Sequence, residues 1–242
     1  MKEDKWFGPK DSGFYFGGKN AVDFYNQNIS RRREEIAIKN NHIFDDKVQE
    51  LNTKGFTKWS QTIDQKILQT INEKVTHFIE QGKNLKLHNS DYSVIENPFL
   101  HFDEVFELAF RDEFLEFAKE YFNCMPAIGT FNLRRSYANP DPPSTTQLFH
   151  CDKNSVKFFK LFIYLNDVDD PSEGPLTLIG DSVQKKPKEV FSKLRWSDEE
   201  IKELYGEDSF NYLTAKRGDV IAATTTSFHK GNKPTKKDRT ML

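Results

Sequence analysis

The sequence predicts an α+β fold that is mainly β, a double-sheet barrel or jelly roll with N-terminal helices packed on its outer face. Amphipathic helical periodicity is confined to the stretch before Met125. Beyond it, short β-type runs follow one another, separated by proline, glycine, asparagine and aspartate turns. The length of 242 residues suits one domain with a helical extension. The expected organisation is therefore a single domain over 1–242, with an irregular arm at 1–40, helical support at 41–125 and a jelly-roll core at 126–242.

Residues 1–40 mix aromatics, glycines and charges without a period, and the RRREE run at 31–35 reads as a solvated face. Thr62 and Gln65 fit a capping box for a helix whose stripe is Ile63, Ile67, Leu68, Ile71, Val75, Phe78 and Ile79, stopping near Gly82. A second helix is expected over 103–122, burying Val105, Phe106, Ala109, Phe110, Phe114, Phe117, Ala118 and Tyr121. Strands are expected at about 127–137, 145–152, 157–166, 174–179, 210–214 and 219–226, with a last one from near Asp238. A helical insertion near 185–206 interrupts them, with Ser197 and Glu200 as a capping box and Gly206 as its stop.

Hydrophobic residues are only 36% of the chain, but aromatics reach 14% with 22 Phe, and large rings bury enough area each to supply a core. A net charge of -2 gives no basis for a nucleic-acid or anionic-membrane partner. No run of about 18 apolar residues exists, and the N-terminal stretch lacks the apolar segment of a signal peptide. The two cysteines, Cys124 and Cys151, cannot form a disulfide framework, so reduced thiols in a cytoplasmic protein are expected. The expected partner is a small-molecule substrate, and the sequence does not set an oligomeric state.

Two of the six histidines open a His-x-Asp sequence, at His101 and at His150. Asp103 is better explained as an acidic residue facing a helix N-terminus, and i and i+2 diverge on a helix, which removes the first pair. His150 and Asp152 follow a strand-like run, and on a strand i and i+2 share a face, so both could reach one ion. Two histidines and one carboxylate form a facial triad that binds Fe(II) and leaves positions open. His229, ending a β-rich run at a glycine turn, is the candidate third ligand. Arg239, further along, offers a fixed fork suited to a carboxylate. A dicarboxylate that chelates iron at one end needs such an anchor at the other.

At these residues the chain resembles the phytanoyl-CoA dioxygenase-like family of Fe(II)/2-oxoglutarate-dependent oxygenases. The matching stretches are TTQLFHCD, FFKLFIYLNDVDDPSEGPLTLIGDS and LTAKRGDVIAATTTSFHKGNKPTKKDRTML, within 127–242. The resemblance implies a double-stranded β-helix, or cupin-like barrel, with His150, Asp152 and His229 on Fe(II) and Arg239 on the far carboxylate of 2-oxoglutarate. It further implies O2 as cosubstrate, succinate as coproduct and hydroxylation of a small molecule, since halogenating relatives carry a small residue where Asp152 stands. Phe162 falls where relatives line the cosubstrate pocket, Lys160 shares its strand face, and Gln147 and Asn132 are candidate polar pocket residues. Arg134 and Tyr137 are candidates by location alone. The chain departs from the family at Ile179-Gly-Asp-Ser-Val183, where relatives read PGSH, and its end soon after Arg239 predicts a short last strand. Two alternatives stay open. One is another metal-dependent enzyme of cupin type, in which Arg239 has no purpose. The other is a non-catalytic binding protein on a degenerate jelly roll.

Overall fold

Alternation of small and branched apolar residues makes Val220–Ala223 the strand around which the molecule is organised. Val220 and Ala222 point to one side and Ile221 and Ala223 to the other, all four buried, so this strand separates two cores. The computed structural model describes residues 6–7, 27, 42–60, 62–82, 85–155 and 157–242. The expected arm at 1–40, with its RRREE run, lies almost wholly outside them.

The strands are β1 (Trp6–Phe7), β2 (Phe56–Trp59), β3 (Leu87–His88), β4 (Tyr92–Glu96), β5 (Asn132–Ser136), β6 (Lys160–Ile163), β7 (Leu176–Ile179), β8 (Lys186–Pro187), β9 (Phe210–Leu213), β10 (Val220–Ala223), β11 (His229–Gly231) and β12 (Arg239–Met241). The helices are α1 (Asp45–Lys54), α2 (Gln65–Glu80), α3 (Asp103–Ala109), α4 (Asp112–Phe122) and α5 (Asp198–Tyr205). All pairings are antiparallel, in the orders β2-β10-β6, β12-β5-β4-β3, β11-β7-β9 and β1-β8. The first two sheets meet where β6 runs beside β12: Ile163 and Leu242 exchange backbone hydrogen bonds, and Leu165 N donates to Thr240 O. The third sheet is extended by the segment at 149–150, through the bridges His150 to His229 and Phe149 to Trp196.

Three apolar clusters follow. Leu51, Trp59, Leu68, Ile71, Val75 and Phe117 pack the helices on Leu133, Ile163, Val220 and Ala222. Tyr164, Leu176, Leu178, Leu213, Ile221, Ala223 and Met241 fill the space between the larger sheet and β7–β9. Phe149, Ile179, Val190, Trp196, Ile201 and Phe228 anchor the insertion. Edge-to-face contact of Trp59 on Phe117, at 4.8 Å between centroids, ties β2 to α4, and truncating such a ring costs about 3–5 kcal/mol. Among the described residues no helix is long and apolar enough to cross a membrane.

Several expectations need correction. Asp64, not Thr62, caps α2, its carboxylate accepting from the N–H of Lys66 and Ile67. The helix expected over 103–122 is two, breaking at Phe110–Arg111, and Phe106 and Phe110 pack against each other at a tilt at the surface, 51% and 44% exposed. Asp112 and Glu113 start the second helix, which resets the buried face to Phe114, Phe117, Ala118 and Tyr121. Residues 41–125 are not purely helical: β2, β3 and β4 join the sheets, too short to show a period. The run 145–152 is not a strand, because Thr145–Gln147 forms a 3-10 turn and sheet-like bridging covers only Phe149 and His150. The insertion has the Ser197–Glu200 capping box and the Gly206 stop that were expected.

Candidate metal centre

Reciprocal backbone hydrogen bonds hold the two histidines together. His150 N donates to His229 O and His229 N to His150 O, each at 3.0 Å, which makes them a directly opposed antiparallel pair with both side chains on one face. Their rings lie 4.3 Å apart between centroids. Asp152 is beyond the bridge, in irregular chain, and is drawn in by its own N–H donating to Thr225 O at 2.8 Å. Its carboxylate then lies 3.8 Å from His150 Nε2 and 3.5 Å from His229 Nε2. One ligand atom from each of the three falls within 4.8 Å of the others, a grouping able to share one ion. It forms for a different local reason from the strand alternation read in the sequence.

The second nitrogen of each ring shows the intended donor. His150 Nδ1 lies 2.9 Å from Leu148 O and His229 Nδ1 2.9 Å from Ser227 O, in both cases the carbonyl two residues back. A carbonyl only accepts, so Nδ1 carries the proton and Nε2 turns its lone pair toward Asp152. Burial pushes both imidazoles below the usual histidine range, most strongly His229, whose neighbour His150 adds to the effect. Burial pushes the Asp152 carboxyl up, but the facing His229 and Lys160 outweigh it and hold it below the ordinary carboxylate range. Two neutral imidazoles and one ionised carboxylate are the donor set that a divalent first-row metal takes. The residues present fit the group.

Lys160 meets this carboxylate directly, Nζ to Asp152 Oδ2 at 2.6 Å. The sequence placed it only on the strand face of Phe162; the structure gives it the Asp152 carboxylate as partner. Phe162, two residues on, shares its face of β6 and packs partly buried at the inter-sheet core. Gln147 is buried, but its Oε1 accepts from Ser144 N as part of the 3-10 turn, and Nε2 has no partner among the described residues. Asn132 is exposed at the start of β5, opposite Glu96, and is not brought to the triad by any contact among the described residues. Tyr137 is engaged with Ser93 by a hydroxyl–hydroxyl contact.

Arg239 is almost fully buried. Its Nη1 donates to Gly174 O and its Nη2 to Ser136 Oγ at 3.1 Å, while Nε has no partner among the described residues. No carboxylate among them reaches it. Burial, only partly offset by the Tyr164 phenol, lowers its pKa to about 10. The guanidinium lies against Gly231, where a Cβ would sit 3.1 Å from Nη2, so the strand that starts with His229 also floors the arginine. Arg134, on the same face of β5 as Ser136, is a second largely buried guanidinium, donating to Thr146 Oγ1 at 2.7 Å and lying 4.4 Å over the Tyr92 ring. Sequence reasoning missed the cradle of Gly174, Ser136 and Gly231. Only the glycine in His-Lys-Gly hinted at it.

A cavity of about 230 Å³ opens beside the triad, lined by Thr146, His150, Asp152, Lys153, Val190 and Arg195, among others. The helical insertion thus forms one of its walls.

No protein-family model and no curated protein sequence matches the chain. Solved structures do. HygX from Streptomyces hygroscopicus, with nickel, 2-oxoglutarate and hygromycin B bound, is similar at a TM-score of 0.58 and 12% identity, over 81% of this chain and 84% of that one. The non-heme alpha ketoglutarate dependent carbocyclase SnoK from nogalamycin biosynthesis gives a TM-score of 0.57 and 11% identity, over 84% and 83%. EctD from S. alaskensis in its apoform gives 0.62 and 12%, over 84% and 77%. At these identities the likeness shows a shared fold.

Proposed function

We propose that this chain is an Fe(II)- and 2-oxoglutarate-dependent dioxygenase that hydroxylates a small molecule, built as one jelly-roll domain. The observation that carries the proposal is the convergence of two Nε2 lone pairs, each fixed by a backbone carbonyl at Nδ1, on one ionised carboxylate. His150, Asp152 and His229 would hold the metal, leaving further positions open as a facial triad does. When bound, Fe(II) with 2-oxoglutarate supplies oxygen activation coupled to decarboxylation of the cosubstrate to succinate. HygX, which shares the fold, has been solved with 2-oxoglutarate and nickel, and separately with iron.

The chain's own residues bind and orient. Arg239, buried and lacking a carboxylate partner among the described residues, is poised to take the far carboxylate of the cosubstrate. Gly174 O and Ser136 Oγ fix the plane of its fork. Phe162 offers an apolar surface on the face where Lys160 neutralises Asp152. The cavity beside the triad admits a substrate smaller than one filling the ~300–1,000 Å³ usual for ligand clefts. Cysteines without a disulfide and no membrane-spanning helix among the described residues are compatible with the cytoplasmic placement we favour.

The test is succinate formation by the Fe(II)-loaded chain with 2-oxoglutarate and a panel of small metabolites. Turnover should depend on 2-oxoglutarate, rise with the right substrate and fall to background in Asp152→Ala. Full turnover in that variant, or oxidation without 2-oxoglutarate, would overturn the assignment.

A further inference from the structure

Three cations line the cavity beside His150 and Asp152. From the insertion come Lys193 and Arg195, from the segment after the triad Lys153, and the only carboxylate among its lining residues is Asp152, already engaged by Lys160. Lys193 is neutralised by Glu200 and lies over the Trp196 ring. The other two are not neutralised. Lys153 Nζ donates to a backbone carbonyl, Val190 O at 3.1 Å, and Arg195 Nη1 to the adjacent Leu194 O at 2.9 Å. Neither has a carboxylate within ion-pair reach among the described residues. Thr146, which lines the cavity, accepts from Arg134, a partly buried guanidinium whose other partner is the Tyr92 ring and which has no carboxylate partner among the described residues.

A half-buried ammonium answered by a single carbonyl, and a partly buried guanidinium answered by one hydroxyl, are cations with donor capacity to spare. Arg195 is exposed at this cavity while Lys153 and Arg134 are partly buried, and cations of one sign grouped around a hollow raise the local concentration of anions. Val190 and Leu194 add apolar surface to the lining.

We infer that the primary substrate is an oxoanion, a small molecule whose phosphate, sulfate or carboxylate group is held by Lys153 and Arg195, with Arg134 as a longer-range attraction behind Thr146. The inference rests on the oxygenase reading for what happens to that molecule, but the anion site stands on its own geometry. It is separate from Arg239, which serves the cosubstrate, and it places the substrate's charged group on the side of the insertion.

The experiment is calorimetric titration of the full chain with methyl phosphate, sulfate and acetate, once with Mn(II) and saturating 2-oxoglutarate and once metal-free. At least one probe should bind saturably in both states, and the best of the three identifies the anion. Arg195→Gln and Lys153→Gln should each weaken that probe about tenfold, the scale of one hydrogen bond to a charged group, while 2-oxoglutarate binds as before. The idea fails if no probe binds to a chain that does bind 2-oxoglutarate. It fails equally if both variants bind the probe as wild type does, or if the probe merely displaces 2-oxoglutarate. A chain that binds neither Mn(II) nor 2-oxoglutarate defeats the oxygenase reading, and the metal-free titration then still decides the anion site.

Discussion

Arg239→Met separates stability from function at one residue. In the wild type the guanidinium is buried, makes two hydrogen bonds and meets no carboxylate among the described residues. Burial lowers its pKa from 12.5 to about 10, and at ~1.4 kcal/mol per pH unit that is a penalty of about 3 kcal/mol on the charged form. Methionine removes the penalty while keeping most of the volume. It also strips Gly174 O and Ser136 Oγ of a donor, at about 1–3 kcal/mol for each group left unsatisfied. The two effects largely offset, so urea unfolding should place the cosubstrate-free variant within about 3 kcal/mol of wild type. Removing one partner of a true buried ion pair would instead cost about 3–5 kcal/mol. Cosubstrate binding should collapse. Loss of a buried charge partner costs about 2–5 kcal/mol, roughly 30-fold to several thousand-fold in Kd, read by 2-oxoglutarate titration of the Mn(II)-loaded chain. Affinity within threefold of wild type would refute the anchor, and a stability loss above about 4 kcal/mol would show an ion-pair partner after all.

Gly231→Ala puts a methyl 3.1 Å from Arg239 Nη2, so the fork must shift by a few tenths of an ångström; 2-oxoglutarate Kd should rise about fivefold, near 1 kcal/mol, with Mn(II) affinity unchanged, and a variant binding 2-oxoglutarate normally counts against the cradle. Lys160→Met removes a half-exposed cation from Asp152, so the metal no longer competes with it and Mn(II) binding should tighten about fivefold, the scale of a partly screened pair; weaker metal binding would assign Lys160 a supporting role. In the metal-free protein the His150 and His229 imidazoles are pushed below their ordinary 6.5 by burial. The unfolded chain therefore takes up protons first as pH falls, so stability is complete above 6.5 and drops below it, by up to ~1.4 kcal/mol per pH unit for each imidazole. Urea melts between pH 7.5 and 5 should show that slope, shallower in His229→Gln; identical slopes would contradict the burial argument.

The residue types of the site were legible, and the contacts that assemble it were not. His150, Asp152 and His229 stood out because a His-x-Asp and a later histidine in β-rich surroundings match what a facial triad needs. Their convergence, however, depends on the His150–His229 hydrogen-bond exchange and on Thr225 O holding Asp152, links between distant segments that no local period encodes. Arg239 was readable by its place after His229, yet Gly174, Ser136 and Gly231, which hold it, come from three other parts of the chain. The start of the insertion helix was readable from its Ser197–Glu200 capping box, whereas the same four-residue pattern at Thr62–Gln65 misplaced a cap that Asp64 makes. The break between α3 and α4 was not, since Phe106 and Phe110 continue the apolar stripe while pairing with each other in solvent. Strands of two to five residues such as β2 and β3 carry too few positions for alternation to register.

Pulsed electron paramagnetic resonance of the chain loaded anaerobically with Mn(II) asks the central question outright. The account predicts one ion per chain with nitrogen couplings from two imidazoles, falling to one in either His150→Gln or His229→Gln. A bound ion showing no imidazole nitrogen, or no stoichiometric ion at all, would contradict it.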